Sequence, residues 1–292
     1  MAHITVLKDE AIAALPVERA GVIVDCTYGS GGHSAAILAT LPPQGRLVSL
    51  DVDPSAIAVN PATDSRHTLV CANFRTLHET LAAQHIETAD GILADLGWRS
   101  EQFEAGQKGF SFHSDEPLLM TFGDPTTHVF TASDVVNDWE EENLADIIYA
   151  YGEERAARRI AAAIVTARSQ APITTAAQLA AIVTQAVPAF RRRHAIHPAT
   201  KTFQAIRIVV NDELGALEDL IAQGFALLAP RGRLAIITFH SLEDRLVKQR
   251  FKAYAHDHQG VLVTKKPIVP TPAEVASNPR ARSAKLRTIE KL

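Results

Sequence analysis

Cysteine is scarce in this chain of 292 residues, which contains only Cys26 and Cys71. Both stand in short apolar segments, so we expect small buried side chains in a reducing compartment rather than a disulfide framework or a metal cage. Long hydrophobic runs are missing too, since segments such as 234–239 have the length of a strand and not of a membrane-spanning helix. The N-terminus lacks the basic start and long apolar stretch of a secretion signal. We therefore expect a cytoplasmic protein.

The chain also lacks the surplus of basic residues that nucleic-acid-binding proteins usually carry, because its formal net charge is −4. The charges are unevenly distributed. Between residues 245 and 292 there are eleven basic and three acidic residues, whereas acidic residues cluster at 140–142. A polarised surface of this kind can bind a phosphate backbone on one face. A solvated basic tail is the alternative, and the pattern alone does not separate the two.

The first hundred residues contain a regular alternation of short apolar strands, turns and amphipathic helices. This alternation is typical of a parallel sheet wound with helices. The predicted strands are 22–24, 47–50, 68–71 and 91–94, and the first crossover helix runs from residue 33 to about 41. The hydrophobic fraction of 47% and the charged fraction of 21% suit an ordinary folded protein.

The alternation stops near residue 98 and resumes about a hundred residues later along the chain. The elements predicted after this point are helices at 140–169, 174–187, from 197 and at 214–228, a turn at 230–232, strands at 234–239, 261–263 and 284–289, and a helix that begins with a capping box at 241–244. We therefore predict a wound α/β domain formed by 1–105 and 206–292, with an inserted helical domain at 106–205.

The most informative local feature is the glycine-rich segment 25–32, which directly follows the first predicted strand. Its glycines allow positive φ and a close approach of the backbone to a ligand, and the next helix points its amides at the same place. Asp51 ends the second predicted strand, where a carboxylate can accept hydrogen bonds from a ribose diol. The combination predicts a nucleotide-like cofactor, either NAD or S-adenosylmethionine, with a purely structural tight turn as the alternative.

Three further residues belong to this predicted site. Asp95 ends the fourth predicted strand, on the same carboxyl edge as Gly31 and Asp51, and can accept a hydrogen bond from an amine; a turn or helix-capping role is the alternative. Phe74 follows the third predicted strand and can stack on a flat ring, although a single aromatic there is more often part of the core. His33 can cap its helix or contact the ligand.

Eight motifs spread over nearly the whole chain carry a resemblance to a known family. They are HITVLKDE at 3–10, DCTYGSGGHS at 25–34, ADLG at 94–97, GFSF at 109–112, YGEER at 151–155, HPATKTFQAIR at 197–207, FHSLEDR at 239–245 and NPRARSAKLR at 278–287. In this order they are similar to the motifs of the bacterial 16S rRNA cytosine-N4 methyltransferases called RsmH or MraW.

The resemblance implies an α/β fold, that of a Rossmann-like class I S-adenosylmethionine-dependent methyltransferase with an inserted helical domain for substrate recognition. The reaction it implies is methylation of N4 of a cytidine in the decoding region of 16S rRNA, at position 1402 in the family. The implied cofactor is S-adenosyl-L-methionine, and the implied partner is 16S rRNA in the small ribosomal subunit; no membrane and no metal are expected, and a homodimer stays open. The residues carried over as cofactor contacts are Gly31, Gly32, His33, Asp51, Phe74, Asp95 and Gln102.

The implied chemistry requires the protein to align an exocyclic amine with the methyl donor and to accept a proton. Asp95 is the first candidate for a polar group at the amine, in competition with its role in cofactor binding. His240 and Asn211 are the next candidates, each with a structural role as the alternative. The basic segments around Arg191 and Arg280 are candidates for phosphate contacts.

The chain departs from the family's pattern after ADLG. Trp98, Arg99 and Glu101 stand where the family has small residues and a proline, and DEPLLMTFGD at 115–124 stands where it reads DGPLDMRMD. Because these segments follow the fourth strand, the departures bear on the placement of the substrate. Two alternatives therefore stay open. One is a dinucleotide-dependent oxidoreductase, and the other is a non-catalytic or retargeted rRNA-binding factor that keeps the cofactor fold.

Overall fold

The computed structural model of the protein describes residues 4–96, 108–112, 115–188 and 197–292. The chain forms two compact units, one composed of Met1–Trp98 with Leu214–Leu292 and the other of Arg99–Glu213. We name them the sheet unit and the helical unit. The predicted domain limits at 105/106 and 205/206 stay a prediction.

The sheet unit is built on a seven-stranded sheet with the strand order β3-β2-β1-β4-β5-β7-β6. The described strands are β1 (Val22–Asp25), β2 (Arg46–Asp51), β3 (His67–Cys71), β4 (Ala89–Asp95), β5 (Leu228–Thr238), β6 (Gly260–Leu262) and β7 (Lys285–Lys291). Strands β1 to β5 pair in parallel, whereas β7 is antiparallel to both of its neighbours. The order changes direction between β1 and β4, so the sheet is Rossmann-like and has its topological switch point there. The predicted α/β fold is confirmed.

Helices separate the strands and also form the helical unit. The described helices are α1 (Lys8–Ala14), α2 (Gly32–Thr40), α3 (Pro54–Val59), α4 (Leu77–Ala83), α5 (Ala132–Asp138), α6 (Glu141–Ala150), α7 (Ala157–Arg168), α8 (Ala176–Ala186), α9 (Thr200–Val210), α10 (Glu213–Leu227), α11 (Ser241–His256) and α12 (Pro272–Ser277). Among these described helices, none combines the length and the apolar character needed to cross a membrane. The region predicted as helical at 140–169 contains two helices, because the chain turns between them at Gly152, where a Cβ would lie 2.6 Å from two carbonyl oxygens.

Both faces of the sheet are buried, which explains why its strands are almost continuously apolar. Successive side chains alternate between two apolar clusters. Val24 and Ile92 pack in the cluster that α4, α10 and α11 cover, while Ile23 and Leu93 pack in the cluster that α1 and α2 cover. This two-sided burial holds the carboxyl ends of β1 and β4 in fixed positions.

The predicted turn at 230–232 was wrong, because these residues lie within β5. Leu228 is paired with Ala89 of β4, but the next pair joins Arg233 to Gly91, so the register shifts between them. Arg231 takes a left-handed backbone with φ of 63°. The residues that favour a turn therefore produce an irregularity within β5, and the strand begins before them.

Two other local predictions need correction. Cys26 is buried as predicted, but Cys71 is exposed, because β3 is the edge strand of the sheet. The capping box predicted at 241–244 begins one residue earlier, at His240. The backbone N–H of Glu243 donates to His240 Nδ1 at 3.4 Å, and the Glu243 carboxylate accepts from the backbone N–H of His240 at 3.2 Å.

The helical unit has an apolar core of its own, to which the altered segment 115–124 contributes. Leu118 and Met120 are buried in that core, and Thr121 is fully buried. Asn211 fixes this segment: its Nδ2 donates to the carbonyl oxygen of Met120 at 2.7 Å, and its Oδ1 accepts from the backbone N–H of Phe122 at 2.6 Å. The departures from the family's pattern at Leu119 and Thr121 thus lie in a packed and hydrogen-bonded part of the helical unit.

Candidate active site

The candidate site lies at the switch point of the sheet, where the turn after β1 joins α2. Gly29 and Gly31 take left-handed backbones with φ of 56° and 79°, which non-glycine residues rarely adopt. Gly31 is the N-cap residue of α2 and offers no side chain to cap it. The first backbone N–H groups of an uncapped helix need other partners, and an anionic group is the best of them.

Two side chains close on this glycine turn. A Cβ at Gly31 would lie 3.0 Å from the Tyr28 hydroxyl, and one at Gly32 would lie only 1.9 Å from Thr5 Oγ1. The Tyr28 hydroxyl in turn donates to the carbonyl oxygen of Asn60 at 2.6 Å. Gly31 is therefore required for space as well as for conformation, and Gly32 is required for space.

Asp51, at the end of β2, is held in place by backbone amides. Its Oδ2 accepts from the N–H of Gly29 at 2.8 Å, and its Oδ1 accepts from the N–H of Asp53 at 2.9 Å. The residue is 9% exposed. A carboxylate has about four acceptor positions, so these two bonds orient it and leave acceptor capacity for a diol.

Asp95, at the end of β4, is tied to the same turn from the other side. Its backbone N–H donates to Thr27 Oγ1 at 2.7 Å. Its carboxylate Oδ2 lies 3.7 Å from Nδ1 of His33 in the first turn of α2. The turn after β1 is thus connected to the ends of both neighbouring strands, as the predicted site requires.

His33 connects the site to the N-terminal segment. Its Nε2 lies 3.1 Å from the carbonyl oxygen of Val6, and a carbonyl oxygen only accepts, so Nε2 carries the proton. In the neutral ring, Nδ1 then presents its lone pair towards Asp95. The segment is anchored further by the backbone N–H of Leu7, which donates to Glu274 Oε1 at 2.7 Å.

A chain of hydrogen bonds that begins at Asp25, at the end of β1, supports the turn. Ser34 Oγ donates to Asp25 Oδ2 at 2.6 Å. It also lies 2.8 Å from Ser49 Oγ, which in turn lies 2.8 Å from His67 Nε2. Because the Ser34 proton is used on Asp25, the donors run from His67 to Ser49 to Ser34. Burial lowers the pKa of His67, against the opposing effect of the Asp25 and Asp64 carboxylates. This network compensates the fully buried Asp25.

The other predicted cofactor residues have different outcomes. Phe74 lies in a short 3-10 turn after β3 and packs, half-buried, against the apolar cluster of that face. The backbone N–H of Ala72 donates to the carbonyl oxygen of Asp51 at 3.0 Å, which brings this turn next to the end of β2. Gln102 lies outside the residues that the structure describes, as do Trp98, Arg99, Glu101 and Arg191.

The two remaining catalytic candidates, Asn211 and His240, have structural contacts in the described chain. Asn211 is bonded to the backbone of the helical unit, and His240 caps α11.

Burial and the nearby Asp25 carboxylate raise the pKa of Cys26, so this thiol is a poor nucleophile.

Sequence reasoning missed Thr27, Thr5 and Val6 as parts of this site. The Thr27 hydroxyl accepts from the backbone N–H of Asp95. The Thr5 side chain packs against Gly32, and the Val6 carbonyl oxygen contacts His33. They lie within the motifs at 25–34 and 3–10, but nothing in a motif indicates which residue it will contact.

Together these groups fit a ligand with three chemical features. The carboxylate of Asp51 suits a ribose diol, the uncapped first turn of α2 suits a carboxylate, and the carboxylate of Asp95 suits an amino group. The arrangement offers acceptors and an electropositive helix end, which suit a charged nucleoside.

Comparison with known proteins agrees with this chemistry. The family model described as the MraW methylase family matches residues 1–292. A protein of Limosilactobacillus fermentum named ribosomal RNA small subunit methyltransferase H is 47% identical, over 99% of this chain and 98% of that one. The protein of the same name from Symbiobacterium thermophilum is also 47% identical, over 99% of this chain and 96% of that one. A solved rRNA methylase from Streptococcus thermophilus is 12% identical, with a TM-score of 0.42 over 98% of this chain and 93% of that one.

Proposed function

The chain belongs to the MraW methylase family, and from this premise we propose that it methylates N4 of cytidine 1402 in the decoding region of 16S rRNA. The coarser part of this function, a methyltransferase that modifies small-subunit rRNA, follows from relatives that are 41–47% identical over 99% of the chain. The predicted Rossmann-like class I methyltransferase fold is confirmed. The single observation that carries the finer proposal is the connection of Asp51 and Asp95 to one glycine turn.

The cofactor is S-adenosyl-L-methionine, which supplies an electrophilic methyl group on a sulfonium. In the site described above, Asp51 would hold its ribose, and the first turn of α2 at Gly31 and Gly32 would hold the methionine carboxylate. Phe74 would lie beside the adenine. Asp95, which is bonded to the turn through Thr27, would face the reacting amine.

The residues of this chain have little covalent work to do. The lone pair of a cytosine amine is delocalised into the ring, so the site must orient the amine and accept the proton that leaves it. We assign this acceptance to the Asp95 carboxylate, with His33 Nδ1 behind it at 3.7 Å. The proton that leaves N4 then moves to the Asp95 carboxylate.

The inserted helical domain that the sequence predicts at 106–205 is the proposed recognition element for the RNA. The cytidine must be presented unstacked before its amine can reach the donor. Because the substrate is the small ribosomal subunit, we place the protein in the cytoplasm. A homodimer stays a prediction.

The test is mass spectrometry of 16S rRNA from a strain that lacks this gene. Its small subunits are incubated with the purified protein, with and without S-adenosylmethionine. We expect an N4-methyl mark on cytidine 1402 only when both are present. Binding of S-adenosylmethionine without any mark would instead support an rRNA-binding factor, and binding of NAD alone would support an oxidoreductase.

A further inference from the structure

A second feature of the sheet unit lies away from the glycine turn, where α11 faces the edge of the sheet formed by β6 and β7. A small cleft, partly open to solvent, is found there. Its lining includes Lys248 and Lys252 from α11, Lys265 from the segment after β6, and Arg287 from β7. We name it the basic cleft.

The three lysines set the charge of the basic cleft. All three are exposed, and among the residues that the structure describes no carboxylate lines the cleft or forms an ion pair with them. Lys248 and Lys252 are four residues apart, which places them on one face of α11 with about 5–6 Å between their Cβ atoms. Three positive charges of one sign therefore face the same concave surface.

Arg287 also lines the cleft, but it is already paired with a carboxylate. Its Nε donates to Asp244 Oδ1 at 2.7 Å, while Lys285 Nζ donates to Asp244 Oδ2 at 3.0 Å. Burial raises the pKa of Asp244, but the bonds from Arg287 and Lys285 outweigh this effect and the pKa is lowered. Asp244 thus stays ionised at neutral pH and holds Arg287 in the wall of the cleft.

Several other cations on the same unit are paired with carboxylates. Arg250, in the same helix, is paired with Glu218. Arg75 Nε lies 2.8 Å from Asp219 Oδ2, and Arg233 Nε lies 2.8 Å from Glu290 Oε2. The lysines of the basic cleft differ from these neighbours, and repulsion among them is relieved when an anion binds.

We propose that the basic cleft binds the phosphate backbone of the small-subunit rRNA, an inference that rests on the proposed function. Lysine ammonium groups attract phosphates as point charges and read no base. The cleft is open and has apolar walls at Phe251 and Leu262, which suits an extended polyanion more than a small ion that needs an enclosing set of donors. Its role is to hold and orient the subunit while the cytidine is engaged at the glycine turn.

The experiment measures equilibrium binding of the full chain to unmethylated small subunits over a range of salt concentrations. The test variant carries Lys248→Gln and Lys265→Gln. The control variant carries Arg19→Gln and Arg231→Gln, which remove the same number of positive charges from two exposed positions. Arg19 donates to the carbonyl oxygen of Arg231 in β5. Both variants are first checked for unchanged thermal unfolding and S-adenosylmethionine affinity.

We expect the test variant to bind about tenfold more weakly and the slope of log affinity against log salt to fall by about 2, one for each lost phosphate contact. The control variant should keep the slope of the unaltered protein. An unchanged slope in the test variant, or an equal loss in both variants, would overturn the inference. So would weaker binding to subunits with unchanged binding to protein-free 16S rRNA, because the occupant would then be a ribosomal protein. If the unaltered protein binds S-adenosylmethionine but no subunits, the proposed function itself fails.

Discussion

His33 Nδ1 lies 3.7 Å from Asp95 Oδ2, while Nε2 of the same ring lies 3.1 Å from the carbonyl oxygen of Val6. One imidazole thus joins the N-terminal segment to the end of β4. His33 also stands in the first turn of α2. The contact with Val6 puts a ring proton on Nε2, so Nδ1 is the nitrogen that faces Asp95.

Two substitutions separate the two contacts of His33. In His33→Gln the terminal amide can still donate to Val6, but no group replaces Nδ1. In His33→Asn the amide replaces Nδ1, but the contact with Val6 is lost. We expect His33→Gln to unfold near the temperature of the unaltered protein with kcat lowered about tenfold. We expect His33→Asn to be less stable by about 1–3 kcal/mol, with kcat better preserved.

Thermal unfolding and single-turnover methylation of small subunits measure these effects. The ¹⁵N shifts of the His33 ring, recorded without substrate, should report a proton on Nε2 and none on Nδ1. If both variants lose stability and neither loses kcat, His33 only anchors the N-terminal segment.

Removal of the Asp51 carboxylate tests the ribose-binding role. Asp51→Ala should weaken S-adenosylmethionine binding by about 1–3 kcal/mol, since an oriented charged acceptor is lost. Calorimetric titration of the variant measures the change. Asp53→Ala is the matched control, because Asp53 accepts from the backbone N–H of Ser55 at 2.9 Å and caps α3. The control should lower stability by about 1 kcal/mol without an equal loss of affinity. An unchanged affinity in Asp51→Ala would remove this role.

The contact between Gly32 and Thr5 predicts a steric effect with a rescue. Gly32→Ala would place its Cβ 1.9 Å from Thr5 Oγ1, so we expect a loss of about 1–3 kcal/mol in the free energy of unfolding. Adding Thr5→Ala should recover only part of the loss, because Thr5 Cβ would still lie 3.1 Å from the new Cβ.

Gly224→Ala in α10 is the control for this steric effect. A Cβ there meets its nearest atom at an ordinary 3.4 Å. It should therefore be neutral or stabilising, since alanine favours a helix over glycine. Denaturant unfolding of the four proteins decides the question. Equal losses in Gly32→Ala and Gly224→Ala would contradict the steric explanation.

The pairing of Arg66 with Asp64 makes the stability of the fold depend on pH. Arg66 donates to the carbonyl oxygens of Leu41 at 2.7 Å and Leu38 at 3.1 Å, at the end of α2 opposite the glycine turn. Hydrogen bonds from Arg66 lower the pKa of Asp64 from 3.8 to about 2. A carboxyl whose pKa is lowered on folding stabilises the fold above its unfolded pKa, and this contribution is lost as the pH falls from about 4 to about 2.

Carboxyl titration by NMR should place the midpoint of Asp64 near 2, and in Arg66→Gln it should return towards the usual value of about 3.9. Asp124, whose pKa is lowered by hydrogen bonds from Thr126, serves as the internal reference and should not change. A midpoint of Asp64 that is the same in both proteins would show that Arg66 is not its cause.

Much of the fold was predictable because its determinants are local. The apolar runs of β1 and β4, the glycines of the turn and the carboxylates that end β2 and β4 follow one another along the chain, and parallel strands bring their carboxyl ends to one edge. The family motifs added the cofactor and the substrate class. Local chemistry was misleading at 230–232 and at Cys71, because pairing with β4 and the edge position of β3 decided those two outcomes.

The amino-acid sequence by itself determined the wound α/β fold, the glycine turn and the residues that end its strands, since these depend on short-range periodicity and backbone conformation. Only the tertiary structure decided which groups meet across long separations. Contacts of His33 with Val6 and Asp95 and of Asn211 with Met120 join residues that are distant in sequence, and the basic cleft likewise brings together lysines from separate elements. No local pattern encodes such contacts, because they arise when the packed core brings separate elements to fixed distances.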